Sequence, residues 1–416
     1  MRALATLLLL AAALRAQDLT ERPPAQAAPL AIVNAAIRPV SGPPIGRGYL
    51  LFEEGRITAV GAGAPELDGR FVTLDASGAH VYPGLIAPYT QLGLVEIGAV
   101  RASRDTTESG DITPEVRAAV AVNPDSTLLP VTRSNGILTF ATFPSGGLVS
   151  GRASVMGMEG WTWEEMAIRA DAGLVVRWPA APPRRAPEPK RPDTRLPDAF
   201  DAAAAYVRAK DAAPATPEDV RWEAMRECLA GNTPLFIEAN DYDQISGSLE
   251  FAMRRGLKPV LVGGRDALLC LDLVKRSGAA VILDGIHDFP RRSDSDFDEV
   301  YRLPSRLEEA GVRWCIGGGD RTANERNLPY TAARAVAYGL PRDAALRAIT
   351  LSCAEILGVA AEVGSLDVGK RATLFLADGD PLEVTTRILR AFIDGREIPL
   401  TNKQTALAAK YRAKYR

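Results

Sequence analysis

Short apolar runs punctuated by turn residues open the chain. Ala31-Ile-Val-Asn34, Tyr49-Leu-Leu-Phe52, Arg56-Ile-Thr-Ala-Val60 and Phe71-Val-Thr-Leu74 read as strands. Each is short, rich in β-branched or aromatic residues, and bounded by Gly, Pro or acidic turns. The same texture returns near the other end. Ala372-Thr-Leu-Phe-Leu376 is followed by the turn Asp378-Gly-Asp-Pro381, then by a strand over 388–393 closed by Asp394-Gly395. The two ends are expected to pair into one small β-sandwich, built from residues 17–83 and 362–398.

Between them the period changes. Gly136-Ile-Leu-Thr-Phe-Ala-Thr142, Leu235-Phe-Ile-Glu238, Pro259-Val-Leu-Val262, Ala280-Val-Ile-Leu283 and Val312-Arg-Trp-Cys-Ile316 are strand candidates. Helical patterns over 241–255, 302–310, 330–338 and 343–358 alternate with them. Strand and helix in alternation imply parallel βα units. Roughly 275 residues of this suit an eight-fold barrel, whose usual size is about 250. The expected fold is therefore α/β: a (β/α)8 TIM-like barrel over 84–361, inserted into the sandwich. Two Gly-rich runs, in 144–151 and 317–319, read as tight βα turns that offer backbone N–H groups. The polar stretch 91–125 is the sort that covers a barrel mouth.

Composition narrows the class. The 416 residues are 47% hydrophobic and 24% charged with a net charge of −2. That balance carries no nucleic-acid footprint. Arg2 followed by an apolar run to Leu14 and then Arg15-Ala16-Gln17 reads as a signal peptide over 1–16, implying export to the periplasm or outside the cell. The run is too short to span a bilayer, which takes about 20 residues. The four Cys form no C-x-x-C pair and sit in apolar contexts, as buried free thiols do. Residues 178–197, rich in Pro and Arg, read as an exposed excursion. The basic tail 399–416 reads as a helix docked on the barrel, with Leu407 and Tyr411 one turn apart.

One segment is specific. Asp75-Ala-Ser-Gly-Ala-His-Val-Tyr-Pro-Gly-Leu-Ile86 resembles the stretch that leads into the barrel in the amidohydrolase superfamily, of the imidazolonepropionase and dihydroorotase kind. Gly364-Ser-Leu-Asp-Val-Gly-Lys-Arg-Ala-Thr373 and Phe392-Ile-Asp-Gly-Arg396 resemble the stretch that leaves it. The resemblance implies a hydrolase of carbon–nitrogen bonds in cyclic amides or small peptide-like substrates. It also implies a divalent metal at the C-terminal barrel mouth, lowering the pKa of a bound water.

The ligands that the resemblance implies are largely missing. Tyr89 and Gln91 stand where a His-x-His pair is expected, Glu238 where a fifth-strand His belongs, and Gly263 where a sixth-strand His belongs. Asp320, after the Gly run, matches the eighth-strand Asp. The fourth-strand position is not assignable. The chain has only two His, His80 and His287. A zinc held by three imidazoles is thus excluded by composition, and no metal ligands are assigned. A divalent ion on the carboxylates of Glu238 and Asp320 stays open as an alternative to no cofactor.

Residues just after barrel strands are the candidates for function. Asp320, Glu238 and His287 are the expected acid–base groups. Tyr89, Gln91, Asn240 and Asn324 are the expected contacts to a small amide or peptide-like ligand. Two functions remain open. One is a hydrolase with an altered site. The other is a non-catalytic binding protein or pseudoenzyme, as a homo-oligomer or paired with a metal-competent amidohydrolase.

Overall fold

The computed structural model describes residues 22–180, 193–319 and 322–415. The leader expected over 1–16, most of the Pro/Arg excursion, and Asp320 lie outside these residues.

Among the described residues sixteen strands form two sheets. The first takes both chain ends: β1 (Leu30–Ile37), β2 (Ile45–Glu53), β3 (Arg56–Ala62), β4 (Val72–Asp75), β5 (His80–Pro83), and then β14 (Leu374–Ala377), β15 (Ile388–Ile393) and β16 (Arg396–Ile398). Its order is β16-β15-β14-β5-β1-β2-β3, with β4 beside β1. The join between the ends is antiparallel, with Leu374 opposite Pro83 and Ala377 opposite His80. The sheet then folds over itself. Phe52 of β2 and Phe392 of β15 meet edge to face, with centroids 5.3 Å apart, although three strands separate them in the order. Around that pair lie Ile32, Ile57, Val81 and Leu374, all buried. The chain ends thus make the separate β-layer that the pattern implied.

The second sheet is a nearly closed eight-stranded barrel. Its strands are β6 (Leu85–Thr90), β7 (Ile137–Thr142), β8 (Val149–Gly157), β9 (Ala167–Arg177), β10 (Leu235–Ala239), β11 (Pro259–Gly263), β12 (Ala280–Leu283) and β13 (Trp314–Ile316). Strands β7 and β11 are buried at every position, as expected of strands covered on both faces. The barrel departs from the expected pattern at one strand. β8 pairs antiparallel with both β7 and β9. Neither β8 nor β9 was legible, because polar Arg152, Arg169 and Asp171 interrupt their apolar runs. The stretch read as a mouth-covering loop follows β8 instead, through bridges from Ile112 to Val149 and Arg117 to Arg152.

Closure uses a broken helix. The pattern over 343–358 predicted one helix, but the structure has two, Arg342–Arg347 and Leu351–Ile356. Between them the Ala348 carbonyl accepts from Ile316 N (3.1 Å) and the Ile349 carbonyl accepts from Ile86 N (2.8 Å). These two carbonyls bridge the facing edges of β13 and β6, so unpaired backbone groups inside the protein are satisfied. The basic C-terminal helix, Lys403–Lys414, buries no residue. Leu407 and Tyr411 are too small an apolar face to dock it. Among the described residues no helix is long and apolar enough to cross a membrane.

Phe392 is fully buried at the fold of the first sheet. Phe392→Ala should cost about 3–5 kcal/mol in denaturant unfolding. A loss below about 1 kcal/mol would show that the two halves of that sheet do not depend on this contact.

Candidate functional site

The site grows from strand register. β9 and β10 run parallel with Arg177 opposite Glu238, so the two side chains emerge side by side at the barrel mouth. Arg177 Nε donates to Glu238 Oε2 at 2.9 Å. On the other side Tyr89, at the end of β6, donates its hydroxyl to Glu238 Oε1 at 3.1 Å. Its ring packs edge to face on Phe143, and Phe143 on Phe236, at 4.9 and 5.0 Å between centroids. Burial, with the charges of Glu238 and Asp284 adding to it, holds the Tyr89 hydroxyl well above its ordinary pKa. Tyr89 is therefore a neutral donor, and Glu238 is a carboxylate with a hydrogen bond on each oxygen.

An imidazole-held metal, which the fold family implies, does not fit these residues. Both Glu238 oxygens are engaged by Tyr89 and Arg177. Gly263, in the sixth-strand position, has φ +100°, and a Cβ built there would overlap the Asn240 carboxamide. The space of the missing imidazole is thus filled by Asn240, and a side chain at 263 is also strained in that backbone conformation. His80 lies in β5, in the other sheet. Among the described residues no three His, Cys, Asp or Glu side chains converge as a ligand set. The alternative ion site on Glu238 and Asp320 meets the same engagement of Glu238, and Asp320 lies outside the described residues.

Beside this chain of polar contacts opens a cavity of about 960 Å³. Asn240, His287 and Asn324 line it together, with Asp284, Arg265 and Arg334. Tyr89, Gln91 and Glu238 are not among its lining residues. Gln91 sits in the turn after β6, its carbonyl accepting from Leu94 N. The expected grouping of Glu238 with His287 therefore resolves into two places: Glu238 in an ion pair, His287 in the cavity wall. Burial lowers the His287 pKa from its ordinary value; the Arg334 charge lowers it further, and Asp288 opposes both. The imidazole is neutral at neutral pH and can accept a proton. Its loop is tied to neighbouring strand ends by Arg265 with Asp288, Arg291 with Asp241, and Arg292 with Asp266.

Behind the cavity lies a group that sequence reasoning missed. Glu325 is 1% exposed. Among the described residues neither carboxyl oxygen has a hydrogen bond of good geometry, although Thr90 and the Gly318 N–H lie near enough to moderate its pKa. Burial raises that pKa to about 8. A Cβ on Gly318 would come within 2.5 Å of Glu325 Oε1, so the Gly run makes room for this carboxyl. Nothing in Asn324-Glu325-Arg326 signals burial. Asp284 was legible in principle, because it directly follows the apolar run of β12. Arg177 was not, since its strand went unread.

Comparison with known proteins agrees with this architecture. No protein-family model matches the chain. It is 24% identical over 400 residues to the amidohydrolase tasK of Hapsidospora irregularis, a match covering 84% of this chain and 39% of tasK. It is 31% identical over 150 residues to an N-substituted formamide deformylase of Arthrobacter pascens, covering 32% of this chain and 28% of that one. An amidohydrolase from Thermotoga maritima MSB8 has the same fold, with a TM-score of 0.80 at 23% identity, covering 89% of this chain and 99% of that one. The chain thus resembles amidohydrolases in sequence and shares the fold of one. The chain spans well under half the length of these two sequence relatives.

Glu325 gives the chain a stability that depends on pH. Its pKa is raised on folding, from the ordinary carboxylate range of about 4.3. Below that range both states hold the proton. As pH rises towards 8 the unfolded chain releases a proton that the folded chain keeps, so stability falls, and it levels off above 8. Glu325→Gln should flatten the unfolding free energy between pH 5 and 8 while leaving the low-pH value nearly unchanged. An unaltered pH profile in the variant would refute burial of a protonated carboxyl.

Proposed function

We propose that this chain binds a small amide in the barrel-mouth cavity and hydrolyses its carbon–nitrogen bond without an imidazole-held metal. The family resemblance supports a hydrolase acting on C–N bonds. The observation that carries the finer reading is the Tyr89–Glu238–Arg177 chain, which neutralises the strand-end carboxylate where the metal pattern expects a ligand. In this proposal His287 takes a proton from a water. The resulting hydroxide adds to the amide carbon while the Asn240 and Asn324 carboxamides donate to the carbonyl oxygen. His287 then returns the proton to the departing nitrogen. Asp320, which matches the pattern's last ligand position, is proposed to assist at the same mouth. The N-terminal pattern supports export of the mature chain.

One observation favours a second reading. With both oxygens of Glu238 engaged, the mouth is stable as it stands and has no need of chemistry. The chain is then a binding protein or pseudoenzyme, alone as an oligomer or paired with a metal-competent amidohydrolase.

The two readings separate in one set of assays on purified protein: metal content, and turnover of a panel of cyclic amides, N-acyl amines and dipeptides. The hydrolase proposal expects turnover that survives chelation. It expects His287→Asn to lower kcat/KM by roughly 10²–10⁴-fold, the usual contribution of a general base. Because the His287 pKa is lowered, kcat/KM should rise with pH to a plateau, with its midpoint below the ordinary 6.5, and the variant should lose that limb. Turnover indifferent to His287→Asn removes the base assignment. Protein inert across the panel leaves the binding reading.

A further inference from the structure

The helix Leu328–Ala337 turns a polar face to the cavity. Asn327, Tyr330, Thr331 and Arg334 all line it, at i, i+3, i+4 and i+7, which places them on one side of the helix. A barrel helix ordinarily presents an apolar stripe inward. Here Leu328, Ala332 and Ala335 remain buried for that purpose, and a second face carries hydrogen-bonding groups. The Arg334 guanidinium lies over the Tyr301 ring, 5.6 Å from its centroid, which orients the planar fork. Among the described residues no carboxylate pairs with it. The cavity's other guanidinium, Arg265, is taken by Asp288. Arg334 is thus a held cation whose anion is not supplied by the described protein, at the rim of a cavity large enough for a small molecule.

We propose that the cavity selects amides that carry a free carboxylate, N-acyl amino acids or dipeptides in class, with Arg334 gripping the carboxylate in its fork and Asn327 and Tyr330 beside it. The carboxylate end lies at the helix and the amide points towards His287 and Asn240. Val300 and Leu303 supply an apolar wall for the side chain between them. The orientation of the amide rests on the hydrolase proposal; the carboxylate grip does not.

The test is binding rather than turnover. N-acetyl-L-leucine and N-acetyl-L-phenylalanine are titrated against the full chain by calorimetry or ligand-observed NMR, beside their carboxamides, which differ only in charge. The acids are expected to bind about tenfold more tightly than the carboxamides, the value of one charge-assisted fork at a partly open rim. Arg334→Gln should bring each pair together by weakening only the acid. Arg334→Lys, which keeps the charge but not the fork, should leave a reduced preference and checks that the site is still folded. Equal affinities in the unmodified protein, no binding of either probe, or a preference that survives Arg334→Gln overturns the proposal. An intact acid preference without turnover counts against the hydrolase proposal alone.

Discussion

Two backbone carbonyls between two short helices close the barrel, and the site's geometry follows from that closure. A sheet that failed to meet itself would leave the edges of β6 and β13 with unpaired groups in the interior, at a cost of order 1–3 kcal/mol for each group. Ala348 and Ile349 supply the missing acceptors for Ile316 and Ile86. Closing the ring brings Tyr89, at the end of β6, towards the ends of β12 and β13. It also sets the Gly317–Gly319 turn against the cavity, where Gly318 leaves room for Glu325.

Once the ring is closed, the mouth faces an electrostatic problem. A carboxylate such as Glu238, with its side chain only 15% exposed, is costly to hold unless paired. In a metal-bearing barrel mouth the cation answers that demand. Here a guanidinium and a phenol answer it, one on the neighbouring strand and one across the barrel. Glu325 meets the same demand differently. Among the described residues no cation pairs with it, and burial raises its pKa to about 8, so it keeps its proton at neutral pH.

The cavity has another character. Its amides, its neutral imidazole and the Arg334 fork form a surface fit to bind a polar small molecule by hydrogen bonds. The apolar core beneath it remains that of an ordinary barrel. This division separates the pairing of Glu238 from the lining of the cavity. Tyr89 and Glu238 stay outside the cavity wall, while Gly263 and Asn240, at the ends of neighbouring strands, belong to it.

Periodicity and composition alone determined a good deal. The short strands at both ends, the alternation between them and the hairpin at Asp394-Gly395 came from local pattern, because side-chain period and turn chemistry are local properties. The exclusion of a three-imidazole zinc site needed only a count of histidines. Asn240, His287 and Asn324 were legible as cavity residues, because a strand's end is visible in the sequence. What the pattern could not show was who stands beside whom. That Arg177 meets Glu238 depends on the register of β9, a strand hidden by its own charges. That Asn240 fills the place of a side chain at Gly263, and that Glu325 is buried behind Gly318, depend on contacts between segments with no local signature. Strand reversal at β8 and the break at Ala348–Ile349 belong to the same class. Each is settled by the need to satisfy backbone groups and pair charges across the closed barrel, a constraint that exists only once the distant segments are together.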